Sequence, residues 1–158
     1  MGPILDAFDR KLLAEVQRDA QTPQSELGTR VNLSAAAVNR RLRRMAELGV
    51  IDHYAAVVAP EKVDYNLTVV VTVEVESEQI DRLDEMKRIF AACPWVQQCY
   101  YVAGEWDFVL ILTVQNMEQY NELTRELFFS NNNVKRFKTL VSMSRVKVGL
   151  GVPVEIER

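Results

Sequence analysis

The chain has 158 residues, 48% of them hydrophobic and 26% charged, with a net charge of −3. This balance is that of globular domains rather than of disordered or fibrous chains, and no apolar run approaches the ~20 residues needed to cross a bilayer. The length suits one ordinary domain or two small ones, and small domains need a partner to bury enough core. The N-terminal stretch MGPILDAFDRK is acidic where a secretion signal needs a basic flank, so a cytoplasmic location is expected. Cys93 and Cys99 are the only cysteines, and the single histidine, His53, lies far from them in sequence. No metal site is expected, and both thiols read as reduced strand or strand-flanking residues.

Charge is unevenly placed. Residues 1–60 carry eight Arg/Lys against seven Asp/Glu, and residues 61–158 carry eleven against fifteen. Four of the first eight are Arg40, Arg41, Arg43 and Arg44, within five residues. Asp6 can cap a first helix that runs to about Ala20, with Phe8, Leu12, Leu13 and Val16 on one face. Thr22 followed by Pro23 signals a second helix start, with Leu27 and Val31 facing inward. Asn32 tolerates the left-handed turn, Leu33 packs inward, and Ser34 caps a third helix from Ala35 to about Leu48, closed by Gly49.

Val38, Leu42 and Met45 form the buried stripe of that third helix, so its remaining face looks outward. Ser34 and Ala36 lie at the small-residue tip, and Asn39, Arg40, Arg43 and Arg44 line the exposed side. A helix entering the major groove needs this pattern: amide and guanidinium forks for base edges, further arginines for phosphates. Double-stranded DNA is the expected partner and nucleoid association the expected setting. A merely solvated basic face is the alternative.

Val50–Val58 is short, β-favouring and ended by Pro60, and reads as a strand linking two halves. Beyond it the period changes. Val69, Val71, Val73 and Val75 alternate along a strand, and Ser77 can cap a helix carrying Ile80, Leu83, Met86 and Phe90. Strands at about Val96–Val102 and Trp106–Val114 flank the turn Ala103-Gly104-Glu105. Asn116 with Gln119 resembles a capping box for a helix to about Phe129, the SNNN run breaks it, and Val134–Val148 supplies a last strand. The order β-α-β-β-α-β is that of a ferredoxin-like sheet with both helices on one side. Its third strand nevertheless offers Phe108, Leu110 and Leu112 on one face and Val109 and Ile111 on the other. A second copy of the chain is the simplest cover for the open face.

The expected fold class is therefore α+β. An N-terminal three-helix helix-turn-helix domain (1–50) is joined by a β-strand hinge (51–66) to a C-terminal ferredoxin-like βαββαβ domain (67–158). The stretches LDAFDRKLL, VNLSAAAVNRRLRRMAELGVIDHYAAVVAPEKV and CYYVAGEWDFVLILTVQNMEQY resemble the Lrp/AsnC family of transcription regulators over nearly the whole chain. The resemblance implies a regulator that dimerises through its sheets and associates further into tetramers or octamers. It also implies an amino-acid effector bound where regulatory domains meet. The family's G-x-x-D element falls on Gly104 and Asp107, and the resemblance carries over the turn Ala103, Gly104, Glu105, Trp106 and Asp107 together with Thr139, Leu140 and Val141. Trp106 is bulkier than that position usually shows, and VDYNL lacks the family's usual glycine after the hinge.

Two other classes stay open at this point. An enzyme on a ferredoxin-like sheet is one, although the residues show no nucleophile elbow, phosphate-binding glycine loop or metal-ligand spacing. The carboxylate pair Glu105 and Asp107 reads as solvated turn residues. A non-specific architectural protein that coats DNA is the other, distinguished by similar affinity for all sequences. No cofactor is expected beyond the small-molecule effector, and no membrane partner.

Overall fold

The computed structural model describes residues 5–154. They form two compact units, one made of the residues up to Val57 together with those from Val148 onward, the other of Val58–Lys147.

The first unit holds helices α1 (Ala7–Arg18), α2 (Gln24–Val31) and α3 (Ala35–Glu47). At the start of α1 the Asp9 N–H donates to the Asp6 carboxylate (2.8 Å) and the Asp6 N–H to the Asp9 carboxylate (3.2 Å), a complete capping box. Leu12, Leu13, Val16, Leu27, Val31, Val38 and Met45 form the core, with Leu33 and Leu42 packed against it. The α2–α3 turn places Asn32 in the left-handed region (φ 57°), and Ser34 caps α3 by accepting the Ala37 N–H. Gly28 is what lets this turn close: a Cβ there would lie 2.3 Å from the Leu33 carbonyl oxygen.

Three local expectations are corrected here. Phe8 is 40% exposed rather than part of the inner face, because it sits under the Arg41 guanidinium, 5.5 Å from its ring. Thr22 does not cap α2, which begins at Gln24 behind Pro23 without a side-chain cap. Val50–Val58 is not a strand, because a ladder needs a neighbour and no described segment pairs with it.

The C-terminal segment also departs from the expected 67–158 boundary. The Gln17 side-chain amide donates to the Val152 carbonyl (2.9 Å) and accepts the Val152 N–H (2.6 Å). Val154 packs against the helical core.

The second unit is a four-stranded antiparallel sheet of β1 (Leu67–Val75), β2 (Val96–Tyr101), β3 (Phe108–Val114) and β4 (Val134–Val141), in the order β2-β3-β1-β4. Helices α4 (Ile80–Ala92) and α5 (Met117–Thr124) join the strands in the βαββαβ sequence, and α5 continues as a π-helical turn, Arg125–Phe129. A short 3-10 helix, Pro60–Val63, precedes β1. Val69, Val71, Val73 and Val75 alternate into a core with Phe108, Leu110, Leu112 and Val114, covered by Leu83, Met86, Phe90, Tyr120, Leu123 and Phe128.

Strand β4 stops at Val141 rather than Val148, because Ser142 makes the last bond to Thr68 and β1 begins at Leu67. Ser77 does not cap α4, and Ile80 is 78% exposed rather than inward. Asn133 is the reason. Its amide brackets the Ser77 backbone, accepting the N–H at 3.0 Å and donating to the carbonyl at 3.1 Å, while its own backbone carbonyl accepts the Glu76 N–H. That clamp holds 76–77 as a loop, so the helix starts three residues later. Asn133→Ala leaves those groups without partners in a buried setting and is expected to destabilise the protein by ~2 kcal/mol. A lower urea midpoint at unchanged slope is the measurement.

Candidate nucleic-acid interface and effector region

Helix α3 offers two flanks. Asn39, Arg43 and Ala46 form one side of a groove of about 420 Å³ completed by Pro23, Gln24 and Tyr54. Arg40, Arg41 and Arg44 line a second cleft of about 280 Å³ with Asp6 at the start of α1. Ser34, Ala36, Asn39, Arg40 and Arg43 are all exposed. The cap and the buried stripe of α3 put these residues on one outward face, with nothing bulkier than alanine in its first turn.

The four arginines are not equivalent. Asp9 is fully buried, and its two carboxylate oxygens accept from Arg41 Nη1 (2.8 Å) and Arg44 Nη2 (2.6 Å). Arg41 bonds Asp6 as well (2.7 Å) and is three-quarters buried. The Asp9 N–H, and then the Arg41 guanidinium, hold the Asp6 carboxyl below its ordinary value, and Asp6 and Asp9 push Arg41 up in return. Arg41 thus ties α3 to α1, while Arg44 is half-exposed with one edge fixed to Asp9. Arg40 and Arg43 make no ion pair among the described residues. Sequence reasoning missed the Asp9 anchor, although the spacing held a signal. Asp6 and Asp9 are three apart at the start of α1, as its cap and in its first turn, and Arg41 and Arg44 are three apart on one face of α3.

The effector region is divided. Ala103, Gly104 and Glu105 are exposed in the β2–β3 turn, with Gly104 at φ 150°, and Trp106 and Asp107 are half-buried. Asp107 closes the turn against the end of β1: its N–H donates to the Val73 carbonyl (2.9 Å), and its Oδ2 accepts the Val75 N–H (2.7 Å). Beside it the Arg136 guanidinium stacks 4.7 Å from the centre of the Trp106 ring and bonds Glu74, with Glu105 at 3.5 Å. Lys135 also bonds Glu74 (2.6 Å), and these two cations, Lys135 foremost, hold the Glu74 carboxyl below its ordinary value. Trp106, Arg136, Lys135 and Glu74 form a cluster that no motif announced.

Thr139, Leu140 and Val141 are not part of that cluster. They pair with Val71, Val70 and Val69, four residues or about 13 Å along β1 from the Glu74–Arg136 pair. The pleat also divides them. Thr139 points to the helix side, where its hydroxyl meets that of Tyr120 at 2.5 Å, whereas Leu140 lies on the open face. Within one chain the two halves of the expected effector set stay apart. Cys93 and Cys99 are both free, and burial pushes the Cys99 thiol up, away from the reactive thiolate.

The open face carries Val70, Thr72, Val109, Ile111, Thr113 and Leu140, the register partners opposite the helix-covered set. Thr72 Oγ1 and Thr113 Oγ1 are buried there without a hydrogen-bond partner among the described residues. No helix among the described residues is long and apolar enough to cross a membrane.

Comparison with known proteins gives two family matches. A family described as Lrp/AsnC ligand binding domain matches residues 68–152, and one described as winged helix-turn-helix DNA-binding matches residues 5–52. An uncharacterised HTH-type transcriptional regulator of Sinorhizobium fredii is 41% identical, covering 96% of this chain and 90% of its own. The leucine-responsive regulatory protein of Rhizobium meliloti is 31% identical over 90% of this chain and 92% of its own. Among solved structures, an AsnC family transcriptional regulator from Agrobacterium tumefaciens superposes with a TM-score of 0.90 at 26% identity, covering 96% and 98% of the two chains. A regulator from Neisseria meningitidis, solved in complex with L-methionine, has the same fold with a TM-score of 0.89 at 24% identity, covering 96% and 98%.

Two predictions separate structural from interfacial charge. Arg41→Leu leaves the buried Asp9 carboxylate with Arg44 alone and is expected to destabilise the first unit by ~2–4 kcal/mol. Arg43→Ala is expected to stay within ~0.5 kcal/mol in stability, yet to weaken DNA binding and lower the salt slope by about one. Urea titration beside DNA titration at several salt concentrations reads both. In the second unit, a depressed Glu74 pKa means that its ion pairs add stability above its ordinary titration range and lose it as pH falls through the folded value. Carbon-detected NMR should find the Glu74 inflection below that of an ordinary glutamate. Arg136→Leu should move it part of the way back, because Lys135 remains, and an unmoved inflection would show that the Arg136 contact is not populated.

Proposed function

Because the chain belongs to the Lrp/AsnC family of transcription regulators, a helix-turn-helix protein with a ligand-binding domain and not an enzyme, we propose a specific division of labour among its surfaces. Asn39 and Arg40 read base edges, Arg43 and the free edge of Arg44 neutralise phosphates, and Ser34 and Ala36 let the α3 tip approach the DNA. The observation that carries this is the partition of arginines: Arg40 and Arg43 face outward without ion-pair partners among the described residues, while Arg41 is committed to Asp6 and Asp9. Phosphate contacts position such a helix and base contacts specify its site.

Two copies pair through the open sheet face, where a partner would bury Val70, Val109, Ile111 and Leu140 and bring groups within reach of the Thr72 and Thr113 hydroxyls. The unpaired segment 51–59, with Tyr54, Val57 and Val58 exposed, gains a ladder from its counterpart in the same assembly. Further association to tetramers or octamers would bring the β2–β3 turn of one copy toward Thr139, Leu140 and Val141 of another, uniting residues that one chain keeps apart.

The effector is an amino acid, bound around Ala103–Asp107. The ligand-binding family match over 68–152 supports it, and the methionine complex is of a regulator with this fold. Gly104 can donate its N–H to a carboxylate, and Asp107 Oδ1 can accept from an ammonium group. Such a ligand alters DNA binding only as far as it prefers one assembly over another.

The test is selection of operators from random duplexes, followed by affinity measurement against a scrambled duplex at ~150 mM salt, with and without each amino acid. A specificity ratio of about 10³ or more is expected, with a shift for at least one amino acid. Equal affinity for all duplexes would make the protein an architectural coat, and no shift with any amino acid would remove effector sensing.

A further inference from the structure

An acid beneath a surface that meets a polyanion works against binding, since its charge repels what the neighbouring cations attract. Asp9 is such an acid. It is fully buried, and three donors fix its carboxylate: Oδ1 accepts from Arg41 Nη1 (2.8 Å), while Oδ2 accepts from Arg44 Nη2 (2.6 Å) and from the Asp6 N–H (3.2 Å). Arg41 also bonds Asp6 (2.7 Å), whereas Arg44 has no second acceptor among the described residues. Arg44 nevertheless keeps 46% of its side-chain surface exposed and lines the cleft of about 280 Å³ flanked by Arg40 and Asp6. Of the exposed arginines of α3, Arg44 alone is held by another side chain among the described residues.

We infer that Asp9 is a positioning residue for DNA binding that acts through Arg44: it holds one edge of the guanidinium so that the other edge meets a backbone phosphate already oriented. The inference rests on the reading of α3 as the helix that faces DNA. A guanidinium suits this double use because its donors fork in fixed directions, so one edge can be anchored while another stays open. A free arginine has to be ordered when the phosphate arrives, and that lost freedom is subtracted from affinity. Asp9 moves the ordering from the binding step to the folding step. Its charge and its hold on Arg44 act in opposite directions on DNA. Two guanidiniums within 2.8 Å neutralise the charge locally, so the hold prevails.

Two full-length variants separate charge from position. Asp9→Asn keeps the shape, but its amide offers one acceptor oxygen where three donors converge. Arg41 retains Asp6, so Arg44 is the group released. Asp6→Asn makes the same charge change with a residue that caps equally well, and leaves Asp9 and Arg44 in contact. On a mixed-sequence duplex, where phosphate contacts dominate, Asp6→Asn should bind as tightly as wild type or more tightly. Asp9→Asn should bind about three- to tenfold more weakly, with a salt slope lower by about one. Charge alone makes both variants tighten, and that result overturns the positioning role. Arg44→Ala and the double variant Asp9→Asn/Arg44→Ala should bind alike, since Asp9 then has nothing to act through, and additive losses overturn the role as well. NMR of the free protein reads the hold without DNA: the Arg44 Nη signals should be separate in the wild type, through slowed rotation about Nε–Cζ, and merged in Asp9→Asn. Merged signals in a wild type that binds DNA overturn this inference alone, whereas a wild type that binds no duplex removes the α3 reading and the inference with it. Should Asp9→Asn fail to fold, Arg44→Lys decides the matter. An ammonium group is a point charge without a second edge, so Arg44→Lys should lose as much affinity as Arg44→Ala, and wild-type affinity in it overturns the role.

Discussion

A pleated strand sends alternate side chains to opposite faces, and the second unit is arranged around that constraint. Helices α4 and α5 both lie on one side, over Val69, Val71, Val73 and Val75, so each gain in burial there leaves Val70, Thr72, Val109 and Ile111 on the uncovered side. At ~25 cal/mol per Å² of apolar surface removed from water, a face of that kind is a standing incentive to associate. A second copy that covered that face would therefore draw on the same pleat that builds the core. The same alternation divides Thr139 from Leu140, sending two of the expected effector residues to opposite faces of the sheet.

Electrostatics organises the first unit in a parallel way. A buried carboxylate without partners is strongly disfavoured, and Asp9 resolves this by taking two guanidiniums from the neighbouring helix. That choice fixes α3 against α1 and removes Arg41 from the pool available to a polyanion. The net charge of −3 conceals this, because a polyanion responds to the local field rather than to a sum over the chain.

The regular elements were readable in the sequence wherever the period was strong. The β1 valines, the α3 stripe of Val38 and Met45 and the capping signals at Asp6, Ser34 and Asn116 all lie in the roles that their spacing implies. Failures fell where a tertiary partner decided the matter. Ser77 looks like a cap until Asn133, 56 residues away, takes hold of its backbone. Val50–Val58 has strand composition but no described neighbour, and composition cannot supply one. Val146 and Val148 alternate as strand residues do, yet β1 offers nothing to pair with beyond Thr68. For the candidate site, the exposed face of α3 was visible from periodicity, but the assignment of each arginine was not, since helical spacing says which way a side chain points and not what it meets.

Discontinuity of the first unit bears on how the protein can be dissected or rebuilt. Modular swaps between regulators usually assume that a DNA reader is a contiguous N-terminal cassette, to be joined at one seam. Here a cut after Val57 would carry away α1 to α3 and leave behind the segment that pairs with Gln17. A chimaera built that way would set this α1 beside a foreign C-terminus, and even two well-folded halves would then differ from their parents at the end of α1. Recombination between such genes has to respect two seams at once, which narrows the set of neighbours with which this reader can be exchanged intact.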